Sequence, residues 1–187
     1  MGENIWFVCP EDAPVRNVNE RVIAFGRSEQ FGAELIRRMI HGMETALNES
    51  NAVRFILMEA DGILLRAIPE TATLFGFHGV VFQNGDKAFR AKTFVHTPWV
   101  MDRATMTRVV AAMKGISAES EQGFPDRHIA WACELAGLVV MNDRSLWSSN
   151  QIDQPMYLKT AREAVSAGAY ALHGVKTERQ LEQLLSL

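Results

Sequence analysis

Residues 125–143 read PDRHIAWACELAGLVVMND, and this stretch constrains the fold more than any other. A helix opening near Asp126 would put Ile129, Ala132, Cys133 and Ala136 on one face and stop at Gly137. Glycine just past a helix supplies the left-handed residue that ends it. Leu138 to Met141 is then apolar throughout, as in a strand covered on both faces, and Asp143 stands where that strand ends. The alternation continues with a helix over 156–167 ending at Gly168 and a strand from Ala169 to His173. A capping box of Thr177 and Gln180 follows, before Leu181, Leu184 and Leu185. From Asp126 onward the order α-β-α-β-α predicts a Rossmann-like parallel layer.

The first hundred residues have a different character. Ile5 to Cys9 and Arg21 to Phe25 are short apolar runs, closed by Pro10 and Gly26, and read as strands separated by a polar loop. Ser28 offers an N-cap oxygen to a long helix ending near Asn48. Its apolar stripe is Phe31, Leu35, Met39, Met43 and Leu47, widened by Ile36 and Ile40. Val53 to Met58 and Ile63 to Ile68 flank Asp61-Gly62, the strongest short hairpin signal. Pro69 to Phe77 reads as a short helix, with proline at its start. Val80 to Gln83 and Ala88 to His96 flank Asn84-Gly85-Asp86 and predict a second hairpin. After Pro98, Asp102 caps a helix whose apolar positions are Met106, Val109, Val110 and Met113, ended by Gly115.

A chain of 187 residues is long enough for one domain that buries roughly two-thirds of its unfolded surface. A subdivision at about residue 100, into a β-rich part and an α/β part, also fits the pattern. The expected class is a soluble α/β (mixed α+β) protein with an antiparallel, β-rich middle. A net charge of −3 gives no global pull towards nucleic acid or anionic lipid. No window approaches 18 apolar residues and no basic leader precedes an apolar run, so a cytoplasmic chain without a membrane span is expected. Cys9 and Cys133 lie far apart with no metal spacing, and Cys133 reads as a buried thiol.

Two local resemblances point to different functions. Phe55 to Gly79, FILMEADGILLRAIPETATLFGFHG, resembles the strand, Asp-Gly turn, strand and short helix of PAS-type sensor domains, a shape shared with GAF domains. That resemblance implies a regulatory domain binding a small molecule or protein partner in a pocket between the short helix and the sheet. Asp126 to Trp147, with its helix, Leu-Val-Val strand and Asn-Asp-Arg, is similar to the last two acidic motifs of PIN-type nucleases. In those, carboxylates at a helix start and a strand end share magnesium or manganese, which activates water for attack on phosphate. Asp126 and Asp143 would be two of the acids, with Glu59 or Asp61 as the first; Asp61, Asp126 and Asp143 would be catalytic and all four would hold metal. They would have to converge within about 8 Å to share two ions. The β-rich middle departs from that family's pattern. Ordinary roles also suit both acids, a helix cap for Asp126 and a strand-end turn for Asp143.

Other signals are weaker. His41, His78, His96, His128 and His173 show no zinc spacing, although His128 stands close to Asp126 as a conceivable acid–base partner. Ser145, Ser148 and Ser149 are not in a nucleophile elbow, and there is no glycine-rich nucleotide loop. Trp99, Trp131 and Trp147 suit either the core or an aromatic pocket. Thr160 to Leu187 resembles the closing helix, strand and helix of receiver-like domains, which bears on fold alone. The leading expectation is a regulatory or ligand-binding domain needing no cofactor. The alternative is a magnesium- or manganese-dependent nuclease acting on nucleic acid. A third, a partner-binding or homodimeric subunit, follows from the methionines of the helix from Ser28 to Leu47.

Overall fold

A computed structural model describes residues 6–9, 21–24, 32–59, 62–66, 68, 76–143, 162–163, 165–173, 175 and 177–185. It shows a mixed α+β fold with a mixed four-stranded sheet at its centre. Strands β1 (Trp6–Cys9) and β2 (Arg21–Ala24) form where the apolar runs predict them and pair in parallel with each other. Helix α1 (Ala33–Glu49) begins at Gly32 with no side-chain cap. Ser28 lies outside the described residues. Ile36 and Met43 are buried in the core, and Met39, Ile40 and Leu47 pack against it. The methionine stripe that suited a partner-binding helix is therefore turned inward.

The first predicted hairpin does not form. Strand β3 (Arg54–Leu57) pairs antiparallel with β6 (Thr93–Asp102), Arg54 opposite Asp102 and Leu57 opposite Trp99. Strand β4 (Gly62–Leu64) leaves that sheet and pairs antiparallel with β8 (Ala171–His173). The chain does turn there, since the Gly62 N–H donates to the Glu59 carbonyl at 2.9 Å. A tight turn fixes the chain's local path, but the long-range partners that bury each strand decide its pairing.

The second hairpin does form. Strand β5 (Phe77–Gln83) runs antiparallel to β6, with Val80 opposite His96 and Phe82 opposite Phe94. Phe77 opens this strand instead of closing the expected helix, and residues 69–75 lie outside the described ones. Strand β6 continues through Pro98, beyond the predicted end at His96. Proline has no N–H for a ladder, and it is tolerated because the β5–β6 register shifts at this point, between His78 and Val80.

Helix α2 (Arg103–Lys114) starts at the predicted cap. The Asp102 carboxylate accepts the Thr105 N–H at 2.8 Å and hydroxyl at 2.9 Å, and also accepts the Gly76 N–H. Burial opposes its ionised form, but the N–H donors of Thr105 and Gly76 outweigh burial and hold its pKa below the ordinary 3.8. A depressed folded-state pKa means that the stabilisation is complete above the ordinary value and disappears as pH falls through the lower one. Asp102→Ala is expected to lose about 1–2 kcal/mol at neutral pH, judged by denaturant midpoints, and to be less acid-labile than the wild type below pH 3.8.

Helix α3 (Pro125–Leu135) leads into β7 (Val140–Asn142), which lies parallel to β5 at the end of the order β3-β6-β5-β7. At this edge β7 is not covered on both faces, and Val139 is 80% exposed. Strand β8 lies beside β4 in another sheet, so the described strands do not form one parallel layer; most of the predicted helix over 156–167 lies outside the described residues. Helix α4 (Glu178–Leu185) begins with the predicted capping box, Thr177 N to Gln180 Oε1 at 3.0 Å and Gln180 N to Thr177 Oγ1 at 3.2 Å. Between α1, α2, α3 and one sheet face lies the main core, including Phe77, Val95, Trp99, Met101, Met106, Val109, Met113 and Ile129. The opposite face carries Val80 and Val100 against Ile68 and Tyr170. No helix among the described residues is long and apolar enough to cross a membrane.

Candidate functional site

The open face of the sheet follows from the register. Val80 and Val100 point away from the helices, and direct strand partners share a face with residues two apart. Phe82, Phe94 and His96 therefore stand on the face opposite the three-helix core. Phe82 and Phe94 stack with centroids 5.2 Å apart and planes at 12°. The His96 ring meets both edge-on, at 5.2 Å from Phe82 and 5.3 Å from Phe94. Phe82 keeps 39% of its surface exposed. Offset stacks and edge contacts of this kind suit the ring quadrupoles and leave a flat apolar surface at the water boundary.

Polar groups border this cluster on two sides. On the β7 side, the Asp143 N–H donates to the Gly79 carbonyl at 3.0 Å. Its carboxylate lies 3.7 Å from His78 Nδ1. On the other side, β3 covers β6 only from Trp99 to Asp102, so among the described residues no strand covers that edge from Thr93 to Pro98. The start of α3 comes close there. Asp126 stands in the first turn of α3 rather than at its cap, which is Phe124, and its Oδ1 accepts the Arg127 N–H at 2.9 Å. Burial raises the Asp126 pKa above the ordinary carboxylate value, His96 and Arg127 oppose that, and Glu59 adds to it.

The Arg127 guanidinium lies over three rings, 4.0 Å from Phe89, 4.7 Å from Phe124 and 5.5 Å from Phe94. Phe89 and Phe124 are themselves in an edge contact at 5.9 Å. Cation–π attraction suits an arginine there, and its buried Nε forms no hydrogen bond among the described residues. Phe94 thus links the guanidinium stack to the open-face pair.

The predicted acids divide between these two borders. The Glu59 charge acts on Asp126, whereas Asp143 is paired with His78 and Asp61 lies outside the described residues. Among the described residues, no three His, Cys, Asp or Glu side chains are placed to hold a metal ion. His128 is not the partner of Asp126, because its ring is wholly buried in the interior. Trp99 is in the core with its Nε1 donating to the Val95 carbonyl at 2.8 Å, and Trp131 lies under Arg90, 4.9 Å from ring centroid to guanidinium. Trp147 lies outside the described residues. Burial, helped by Glu134, pushes the Cys133 thiol up to about 12, which makes it inert as expected for a core cysteine.

His96, Phe82, Phe94 and Arg127 carry no motif that singles them out in the sequence. The alternation of Phe94 and His96 was visible, but their partners on β5 depended on the loop length. No family model matches the chain, and no curated protein matches it.

Proposed function

We propose that the protein is a regulatory or ligand-binding domain that takes a small planar molecule on the open sheet face, against Phe82, Phe94 and His96. The stacked pair with an imidazole edge-on and Phe82 still at the surface is the observation that carries this reading. A planar ring laid there gains apolar burial and stacking. The His78–Asp143 pair and the Asp126–Arg127 turn offer hydrogen-bonding groups on either side, the usual composition of a small-molecule site. The reading no longer leans on the likeness to PAS-type or GAF-type domains, since the Asp-Gly hairpin behind that likeness is not formed.

Thermal unfolding against a panel of planar heteroaromatics, with adenosine and indole among them, tests the proposal. A compound that binds here is expected to lose about tenfold or more in affinity with Phe82→Ala, which removes an aromatic platform of about 1–3 kcal/mol. The unliganded variant should lose about 1 kcal/mol with the Phe94 stack, so affinities are compared below its own unfolding midpoint. A panel with no stabilising compound, or a binder indifferent to Phe82→Ala, removes the reading. The nuclease alternative keeps one point of support, the Glu59 charge acting on the buried Asp126. Manganese in the same experiment tests it: a raised midpoint in the wild type that is absent in Asp126→Asn would favour it over the ligand-binding reading.

A further inference from the structure

The Arg127 guanidinium is held by aromatic rings rather than by oxygen acceptors. Its Cζ lies 4.0 Å from the Phe89 centroid, 4.7 Å from Phe124 and 5.5 Å from Phe94. Attraction to rings answers its charge, but a guanidinium also carries five N–H donors that call for oxygen. Its Nε is sealed from water and forms no hydrogen bond. The two Nη groups form none among the described residues either, and they are not sealed in that way.

Other arginines of this fold find a carbonyl. Arg54 donates to Ile68 at 3.1 Å, Arg108 to Ala136 at 3.2 Å and Arg103 to Leu47 at 2.7 Å. No carboxylate takes that role at Arg127, which belongs to none of the ion pairs among the described residues. Its neighbour Asp126 has Oδ1 engaged by the Arg127 backbone N–H at 2.9 Å. Burial favours the neutral form of that acid, which eases the approach of another anion.

The unmet donors stand next to the aromatic platform. Phe94 contacts the guanidinium and also stacks on Phe82, with ring centroids 5.2 Å apart. A ligand laid on Phe82 and Phe94 therefore has the guanidinium beside it, one ring away.

We propose that the ligand of the open sheet face is a planar aromatic carboxylate, with Arg127 as its oxyanion anchor. This rests on the platform reading and adds the charge of the ligand to it. A carboxylate matches the guanidinium fork in planarity and spacing, and a charge-assisted pair of hydrogen bonds supplies what the rings do not. Three rings already order the side chain, so little of its rotamer freedom is left to lose on binding. A neutral ring on the same face leaves the donors unmet, and a cationic one is repelled.

Isothermal titration calorimetry of the full chain with indole-3-carboxylate and its neutral isostere indole-3-carboxamide tests the anchor. The acid is expected to bind about tenfold or more tightly than the amide, and added salt should erode that ratio. Arg127→Gln should bring the two affinities together. Arg127→Lys keeps the charge without the fork and should restore only part of the ratio. Should Arg127→Gln fail to fold, the wild-type ratio and the lysine variant decide. An acid that binds no better than the amide overturns the anchor, even where both lose affinity with Phe82→Ala and the platform stands. A ratio unchanged in Arg127→Gln overturns it as well. A preference for the acid that needs Arg127 but ignores Phe82→Ala keeps the anchor and removes the platform. Failure of both compounds to bind overturns anchor and platform alike.

Discussion

Replacing Arg103 with alanine is expected to lower stability by about 3 kcal/mol, because one guanidinium closes the end of α1 from the start of α2. Helix α1 ends without glycine, its cap Ser50 is extended, and no basic residue stands in its last turn. The Ser50 hydroxyl donates to the Ala46 carbonyl at 2.6 Å, which leaves the carbonyls beyond it in need of other partners. Arg103, the first residue of α2, supplies them. Its Nη1 donates to the Leu47 carbonyl at 2.7 Å, its Nε to Ala52 at 2.9 Å and its Nη2 to Ser50, while the plane lies 5.3 Å from the Phe55 ring. Lysine is a point charge without a planar fork, so Arg103→Lys should recover less than half of the loss. Urea unfolding midpoints measure both. A loss under about 0.5 kcal/mol for Arg103→Ala, the level of an ordinary surface substitution, would mean that solvent satisfies those carbonyls just as well.

The same residue shows what a sequence conveys. Asp102 as a cap and Thr177 with Gln180 as a box were legible, because a capping interaction spans three residues and needs no knowledge of the fold. That Arg103 reaches back more than fifty residues was not legible, since nothing local distinguishes an arginine in a first helical turn from one facing solvent. Strand positions were readable from apolar runs, but strand partners were not. Asp61-Gly62 and Asn84-Gly85 carry the same turn signal, and neither makes a two-residue hairpin. At Asn84 the side chains take over the turn. Asn84 Nδ2 donates to the Ala91 carbonyl at 2.9 Å, and its Oδ1 accepts the Asp86 N–H at 3.1 Å. Asn84 N then meets the Lys92 carbonyl at 2.9 Å, so the connection runs from residue 84 to residue 92. Asparagine and aspartate hydrogen-bond the nearby backbone as readily as they adopt positive φ, and the buried Glu121 carboxylate holds the far end of the loop. A two-residue turn would have placed Phe82 opposite Lys87, whereas the longer loop places it opposite Phe94 and creates the aromatic face. The candidate site was hidden by one loop length. Glu59 and Asp126 were both singled out as acids, but His96, which also acts on Asp126, was not, because a histidine inside a strand reads as one more half-buried residue.

The contribution of close backbone approach is separable by two glycines of the same conformation. Gly123 at φ 71° and Gly137 at φ 62° both occupy the left-handed region. Alanine at either position incurs the backbone penalty of about 1 kcal/mol. At Gly137 a methyl group would meet nothing within 4 Å, so Gly137→Ala should lose that amount and little more. At Gly123 the methyl carbon would fall 2.3 Å from the Cα of Gly32 and 2.7 Å from its carbonyl carbon. That obstacle is main chain, which has no rotamer to change. Relief requires shifting the start of α1, and α1 carries Ile36 and Met43 into the core. Gly123→Ala should therefore lose roughly 3 kcal/mol or more, the sum of left-handed strain and overpacking against a fixed neighbour. Thermal unfolding of the two variants side by side provides the comparison. Equal losses would mean that the turn at 121–123 and the start of α1 can separate at little cost, and the contact of Glu121 with the β5–β6 loop would then be the main restraint on that turn.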